Sequence, residues 1–141
     1  MKVKEMSDPP LISVVDDDDS VRESLQGLIR SVGLAVEVFA SAEEFLSSNR
    51  LPDTSCLILD VRMPKMSGLE LQRELATRNC EIPVVFITAH GDEAARSQAI
   101  RHGSVDYLFK PFKEESLLNA IHVALDRNAS SKPSGQERCS S

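Results

Sequence analysis

Five short segments of this chain are apolar and rich in β-branched or aromatic residues: Leu11–Val15, Leu34–Phe39, Ser55–Leu59, Ile82–Ile87 and Val105–Phe109. Runs of that length with little polar alternation suit strands buried on both faces, the pattern of a parallel sheet. Between them the apolar positions recur at helical spacing. Val21, Leu25, Leu28, Ile29 and Val32 share one face of a first helix, and Leu117, Leu118, Ile121, Ala124 and Leu125 share one face of the last. Ser20-Val-Arg-Glu23, Ser41-Ala-Glu-Glu44 and Ser67-Gly-Leu-Glu70 each place a hydroxyl three residues before a Glu, the pattern of a capping box. Gly33 and Gly103 stand where the first and fourth helices should end. Five strand–helix units predict a doubly wound α/β sheet with right-handed crossovers.

The alternation fades at both ends. Residues 1–10 read as an extension, 11–127 as one domain, and 128–141 as a flexible tail or a truncated interdomain linker, since Asn-Ala-Ser-Ser-Lys-Pro-Ser-Gly-Gln has no apolar periodicity. The chain has 22 acids and 16 bases. Its last fifteen residues hold three bases and one acid, so the body carries −8 and the tail +2. That body argues against a nucleic-acid surface, which needs a basic excess. No apolar run is long enough for a membrane span, and residues 1–10 lack the apolar stretch of a signal peptide. Cys56, Cys80 and Cys139 are odd in number and widely spaced. They read as free thiols in a cytoplasmic protein, and not as a disulfide framework or zinc site.

In an open α/β sheet, chemistry collects beyond the carboxyl ends of the strands. Asp16, Asp17, Asp18 and Asp19 follow the first strand, Asp60 and Arg62 the third, Thr88 and His90 the fourth, and Lys110 the fifth. Four consecutive acids usually form a solvated loop that favours the helix they precede. Asp60 changes that reading, because it would bring a further carboxylate beside them. Two unit charges about 4 Å apart repel by roughly 4 kcal/mol at an effective dielectric of 20. Such a cluster needs a cation or raised pKa values, and Mg²⁺ suits carboxylates that share it with water and a phosphate oxygen. A calcium EF-hand is disfavoured: counted from Asp16, the sixth residue is Val21 and the twelfth Gly27, where that loop needs Gly and Glu. Lys110, before Pro111, could hold a phosphate as a point charge, and the Thr88 hydroxyl could donate to one.

Val14-Val15-Asp16-Asp17-Asp18, Leu57-Ile58-Leu59-Asp60-Val61-Arg62-Met63-Pro64 with Ser67-Gly68-Leu69-Glu70, Thr88, and Val105-Asp106-Tyr107-Leu108-Phe109-Lys110-Pro111-Phe112 together resemble the receiver domain of two-component response regulators. The resemblance runs from Leu11 to about Leu125. The Asp-Val-Arg-Met-Pro and Ala-His-Gly-Asp segments look most like the FixJ type. It implies a flavodoxin-like (βα)5 fold with a five-stranded parallel sheet in the order 2-1-3-4-5. It further implies that Asp60 accepts a phosphoryl group from a histidine kinase, and that Asp16, Asp17, Asp60 and the backbone carbonyl of Arg62 hold Mg²⁺, with Mn²⁺ as the alternative. Lys110 would contact the phosphoryl group. Thr88 would move towards it, and Tyr107 would rotate inward as a switch. Arg62 and His90, two residues beyond Asp60 and Thr88, would flank the hydrolytic water and tune the phosphoryl lifetime. The face made by the fourth helix, fifth strand and fifth helix would dimerise or bind an output partner.

Some positions depart from that family's habit. Asp18 and Asp19 extend the acid run, and Asp19 is expected to cap the first helix. Ser104 and Phe109 replace the Ala and Glu common in the FixJ type, which puts an extra aromatic at the sheet edge. Two other readings remain: a haloacid-dehalogenase-like phosphatase, whose Asp-x-Asp motif Asp16 and Asp18 imitate, and a non-catalytic interaction module. FixJ-type regulators usually continue into a DNA-binding domain. This chain is therefore either a stand-alone receiver or a piece cut within a linker, and no direct nucleic-acid contact is expected of the domain itself.

Overall fold

Leu11–Val15 is buried at all five positions, which happens only to a strand covered from both sides. The computed structural model describes residues 9–89, 94, 97 and 105–131. Within them run β1 (Leu11–Val15), α1 (Asp19–Ser31), β2 (Ala35–Phe39), α2 (Ala42–Ser47), β3 (Thr54–Asp60), α3 (Gly68–Thr77), β4 (Val84–Ala89), β5 (Asp106–Lys110) and α4 (Glu114–Ser131). The sheet is five-stranded with the order β2-β1-β3-β4-β5, and all four pairings are parallel. The predicted fold is the observed one. The segment between β4 and β5, where the sequence puts its fourth helix and its terminating Gly103, lies outside the described residues apart from helical Ala94 and Ser97. Among the described residues, no helix is long and apolar enough to cross a membrane.

Alternate strand residues feed two separate cores. Ile12, Val14, Ile58, Val85 and Ile87 pack against Leu25 and Ile29 of α1 and Leu117 and Ile121 of α4. Val15, Phe39, Leu57, Leu59, Phe86 and Tyr107 pack on the other face against Phe45 of α2 and Leu71 and Leu75 of α3. One polar pair is buried in this sheet: the hydroxyls of Ser13 and Thr54 lie 2.7 Å apart, and Thr54 donates onward to the Arg50 carbonyl at 2.9 Å. The chain of donors leaves neither hydroxyl unsatisfied.

The helix starts correct two expectations, the cap by Ser20 and the cap by Asp19. Ser20 does not cap α1. Asp18 does, accepting from the amides of Ser20 and Val21, and Asp19 is already helical. A carboxylate at that position accepts amide protons as a hydroxyl does and also meets the positive helix end. Ser41 accepts from Glu44, as expected, while the Glu44 carboxylate reaches back to the Ala40 amide. Ser67 and Glu70 form a complete capping box. Gly33, at φ +86°, turns the chain out of α1 in the left-handed region.

Other boundaries move slightly. β4 begins at Val84 and not at Ile82, because Pro83 has no N–H for the ladder and offers only its carbonyl, to Leu57. Val32 fits the apolar spacing of α1 but is 46% exposed at the helix end. α4 continues to Ser131, four residues into the expected tail. Cys56 is a buried free thiol, its pKa pushed up to about 12 by burial. Cys80 is half of a disulfide, which corrects the expectation of free thiols throughout. Spacing along a chain does not say which sulfurs the fold brings together.

Candidate functional site

The parallel register carries the strand ends to a common level. Val15 lies opposite both Phe39 and Leu59, so Asp16 and Asp60 each begin one residue further on, at the same edge. Asp60 lies opposite Ile87, which sets Thr88 next, and Ala89 lies opposite Lys110. Asp16 is fully buried. Its Oδ1 accepts from the Asp18 amide at 2.9 Å and its Oδ2 from Lys110 Nζ at 3.0 Å. Asp17 beside it is exposed. Asp18 is turned onto α1 as its cap.

Asp60 is 4% exposed. Its Oδ1 accepts from the Arg62 amide at 3.4 Å, and its Oδ2 is 3.7 Å from Lys110 Nζ. Behind it stands the start of α3. The Gly68 amide donates to the Val61 carbonyl at 2.9 Å, and a Cβ on Gly68 would lie 2.3 Å from the Asp60 carbonyl oxygen. Only glycine lets the helix come that close.

Carboxylate oxygens of Asp16, Asp17 and Asp60 lie within 4.8 Å of one another. At that spacing each pair repels by about 3–4 kcal/mol at an effective dielectric of 20. One ammonium faces three acids, so the cluster stays under-neutralised. The strain falls on Asp60, whose carboxyl is pushed up to about 7 by burial and by the charge of Asp16, against the pull of Lys110 and the Arg62 amide. Burial alone would lower the Lys110 pKa, but the hydrogen bond to Asp16 and the charges of Asp60, Asp16 and Asp18 leave it raised. Three clustered hard oxygen donors with excess negative charge fit a small divalent cation such as Mg²⁺.

Thr88 is fully buried, and its Oγ1 has no hydrogen-bond partner among the described residues. Tyr107 belongs to the edge strand, yet its ring is turned inward and only 7% exposed. Its centroid is 6.0 Å from that of Phe86 and 5.5 Å from that of Phe109. The inward position predicted for a switched state is thus already taken. The Lys110–Pro111 peptide is cis. His90, expected to flank the site, lies outside the described residues.

A family model described as the response regulator receiver domain matches residues 12–122. The chain belongs to that family. TodT of Pseudomonas putida, a response regulator protein, is 49% identical over 124 residues, covering 87% of this chain and 55% of its own. FixJ of Azorhizobium caulinodans, a transcriptional regulatory protein, is 43% identical over 118 residues, covering 84% and 56%. Among solved structures, the response regulator StyR matches with a TM-score of 0.81 at 49% identity, over 86% of this chain and 62% of that one. The FixJ N-terminal domain matches with 0.76 at 39% identity, over 82% and 93%. The chain spans about half the length of the curated relatives it matches.

This receiver domain therefore brings Asp16, Asp17, Asp60 and Lys110 into one pocket, with Thr88 on the adjoining strand. Arg62 is exposed, and its amide donates to Asp60. Two residues at the pocket escaped the sequence reading. Gly68 appears in it only inside the Ser67–Glu70 segment, as part of a capping motif and of the family resemblance. Arg22 appears only inside Ser20-Val-Arg-Glu23, although its NH1 donates to the Asp16 carbonyl at 2.7 Å. The one signal available was a lone cation in the first turns after four acids.

Proposed function

We propose that this domain accepts a phosphoryl group from a histidine kinase on Asp60 in a Mg²⁺-dependent reaction. The observation that carries the reading is Asp60 itself: a buried carboxyl raised to about 7, with Lys110 Nζ 3.7 Å away and two further acids within 4.8 Å. Asp16, Asp17, Asp60 and the Arg62 carbonyl would hold the cation, which when bound supplies charge neutralisation for the carboxylates and the transferred group. An Asp60 oxygen attacks phosphorus as the phosphorus–nitrogen bond to the kinase histidine breaks. Lys110 keeps its proton throughout and pairs with the phosphoryl oxygens as they arrive. Phosphoryl transfer asks for this positioning and charge more than for proton movement.

Thr88 completes the reading, since a buried hydroxyl without a partner among the described residues is a donor held for an incoming oxygen. Its movement and that of Tyr107 would alter the face of the predicted fourth helix, β5 and α4, where a second copy or an output partner would bind. A cleft of about 620 Å³ opens beside Lys110, walled by Val21, Leu25 and Leu28 of α1 and by Phe112; it gives a kinase segment access. Arg62 and His90 tune how long the adduct lasts. Transcriptional control through an attached or partner domain is supported by relatives of which the matched region is little more than half, with residues 11–127 as the receiver and 128–141 as a flexible tail or interdomain linker. We place the protein in the cytoplasm, acting as a phosphoacceptor and not as an enzyme on free substrates, with no direct DNA contact by this domain.

Acetyl phosphate or beryllofluoride treatment with Mg²⁺ tests the proposal. A mass adduct lost in Asp60→Asn and kept in Asp18→Asn is expected. An adduct kept in Asp60→Asn would instead support the phosphatase reading, and no adduct in any form would support the interaction module. The position of Asp18 on the α1 end already disfavours the phosphatase, whose second Asp must face its substrate.

A further inference from the structure

We infer that Arg22 is a positioning residue for the acidic loop, acting through the backbone of Asp16. This rests on the proposed role of that loop in holding a divalent cation. The strand ladder on the β2 side ends with the Asp16 amide bonded to Phe39 at 3.1 Å. The next carbonyl, that of Asp16, has passed the last paired residue, Val15. Arg22 supplies its donor: NH1 lies 2.7 Å from the Asp16 oxygen, and NH2 holds the Asp19 carboxylate. The Arg22 amide meanwhile bonds the Asp18 carbonyl at 3.1 Å.

The side chain thus grips two of the four acids, at the Asp16 carbonyl and the Asp19 carboxylate, while the amide bond to Asp18 is the first helical bond that any residue there would make. Asp17, itself exposed, is carried between Asp16, whose carbonyl the side chain holds, and the helix cap Asp18. The guanidinium side chain is only 17% exposed although Asp19 is 84% exposed, so the fork is packed in and is not a loose surface pair. A planar fork can bridge two acceptors at fixed spacing, which a lysine ammonium cannot.

The competing role is simple charge. A cation beside three carboxylates should weaken Mg²⁺ binding by repulsion, so removing it should tighten binding. A positioning role has the opposite sign, because loss of an outer-sphere support commonly costs ten- to hundredfold in metal affinity. The variants Arg22→Gln and Arg22→Lys separate the two.

Mg²⁺ affinity is measured by calorimetry on the full chain. Backbone ¹⁵N relaxation and amide exchange at residues 17–19 are followed in metal-free protein. Positioning predicts about tenfold weaker Mg²⁺ binding in Arg22→Gln, roughly threefold weaker in Arg22→Lys, and faster loop motion in both while β3 amides stay protected. The inference is overturned if Arg22→Gln binds Mg²⁺ as tightly as the wild type or more so, or if the loop is unmoved. Should Arg22→Gln fail to fold, Arg22→Lys decides alone, since charge without geometry predicts no change there. A wild type that binds no Mg²⁺ would overturn the proposed function instead, and the metal-free loop measurements would still judge Arg22.

Discussion

Lys110 Nζ sits closer to Asp16, at 3.0 Å, than to Asp60, at 3.7 Å. The ammonium therefore spends itself on the carboxylate proposed to bind metal before it serves the one proposed to accept phosphate. A bound metal would compete with the lysine for Asp16 Oδ2. Lys110→Met should bind Mg²⁺ several-fold more tightly while loading from acetyl phosphate falls about a hundredfold. Without metal the variant should lose about 3 kcal/mol, because buried Asp16 is left without its cation, and Mg²⁺ should restore it. Calorimetry and denaturant melts with and without chelator check both. Unchanged Mg²⁺ affinity would sink the competition, and the sign is opposite to that expected for Arg22.

Asp60 makes the metal-free fold pH-dependent. Its carboxyl is raised from 3.8 to about 7 by burial and the neighbouring Asp16 charge, so the folded state favours the protonated form. That stabilisation is complete below about pH 4, is lost as pH rises, and is gone above about pH 7. The total is on the order of 4 kcal/mol. Asp60→Asn should lack this slope and exceed the wild type in stability at pH 8 in chelator. Protons should also compete with Mg²⁺ below pH 7, weakening its binding as pH falls. Parallel urea melts of both proteins from pH 5 to 8 would decide it; coincident slopes would mean Asp60 ionises freely.

Gly68 and Gly27 should respond to alanine with opposite signs. A Cβ at Gly68 meets the Asp60 carbonyl at 2.3 Å, whereas nothing lies within 4 Å of one at Gly27. Gly68→Ala should cost about 2–3 kcal/mol and slow Asp60 loading, since either helix or strand end must move. Gly27→Ala, on the exposed side of α1, should gain about 0.5–1 kcal/mol from helix propensity alone. Thermal melts of the two variants make the comparison, and equal costs would show that crowding at Asp60 is not the reason for Gly68.

What a sequence discloses depends on whether a feature is written in side-chain type or in backbone proximity. Asp16, Asp17, Asp60 and Lys110 were legible because each follows an apolar run, and a parallel register brings run ends to one edge. Strand positions were legible for the same reason, except where Pro83 delays β4. The acid run concealed its own division of labour: four identical residues become a buried lysine partner, an exposed carboxylate, a helix cap and an arginine partner. Arg22 and Gly68 were missed because they act on the carbonyls of Asp16 and Asp60. Every residue has a carbonyl, so nothing in the letters marks it.

Thr88 should be a residue whose removal stabilises the resting domain and disables its response. Its hydroxyl is fully buried and lacks a partner among the described residues, a condition that costs about 1–3 kcal/mol. Val has nearly the same shape without the donor, so Thr88→Val should raise resting stability by about 1 kcal/mol. The response has a built-in reporter, because the chain contains one tyrosine and no tryptophan, and Tyr107 packs against Phe86 of the neighbouring strand β4 and Phe109 of its own strand. Beryllofluoride with Mg²⁺ should change tyrosine emission in the wild type as Thr88 turns to the adduct and Tyr107 repacks. In Thr88→Val the adduct should still form by mass while the emission stays at its resting value. An unaltered emission change in Thr88→Val would separate Tyr107 from Thr88 and leave the hydroxyl with no part in the switch.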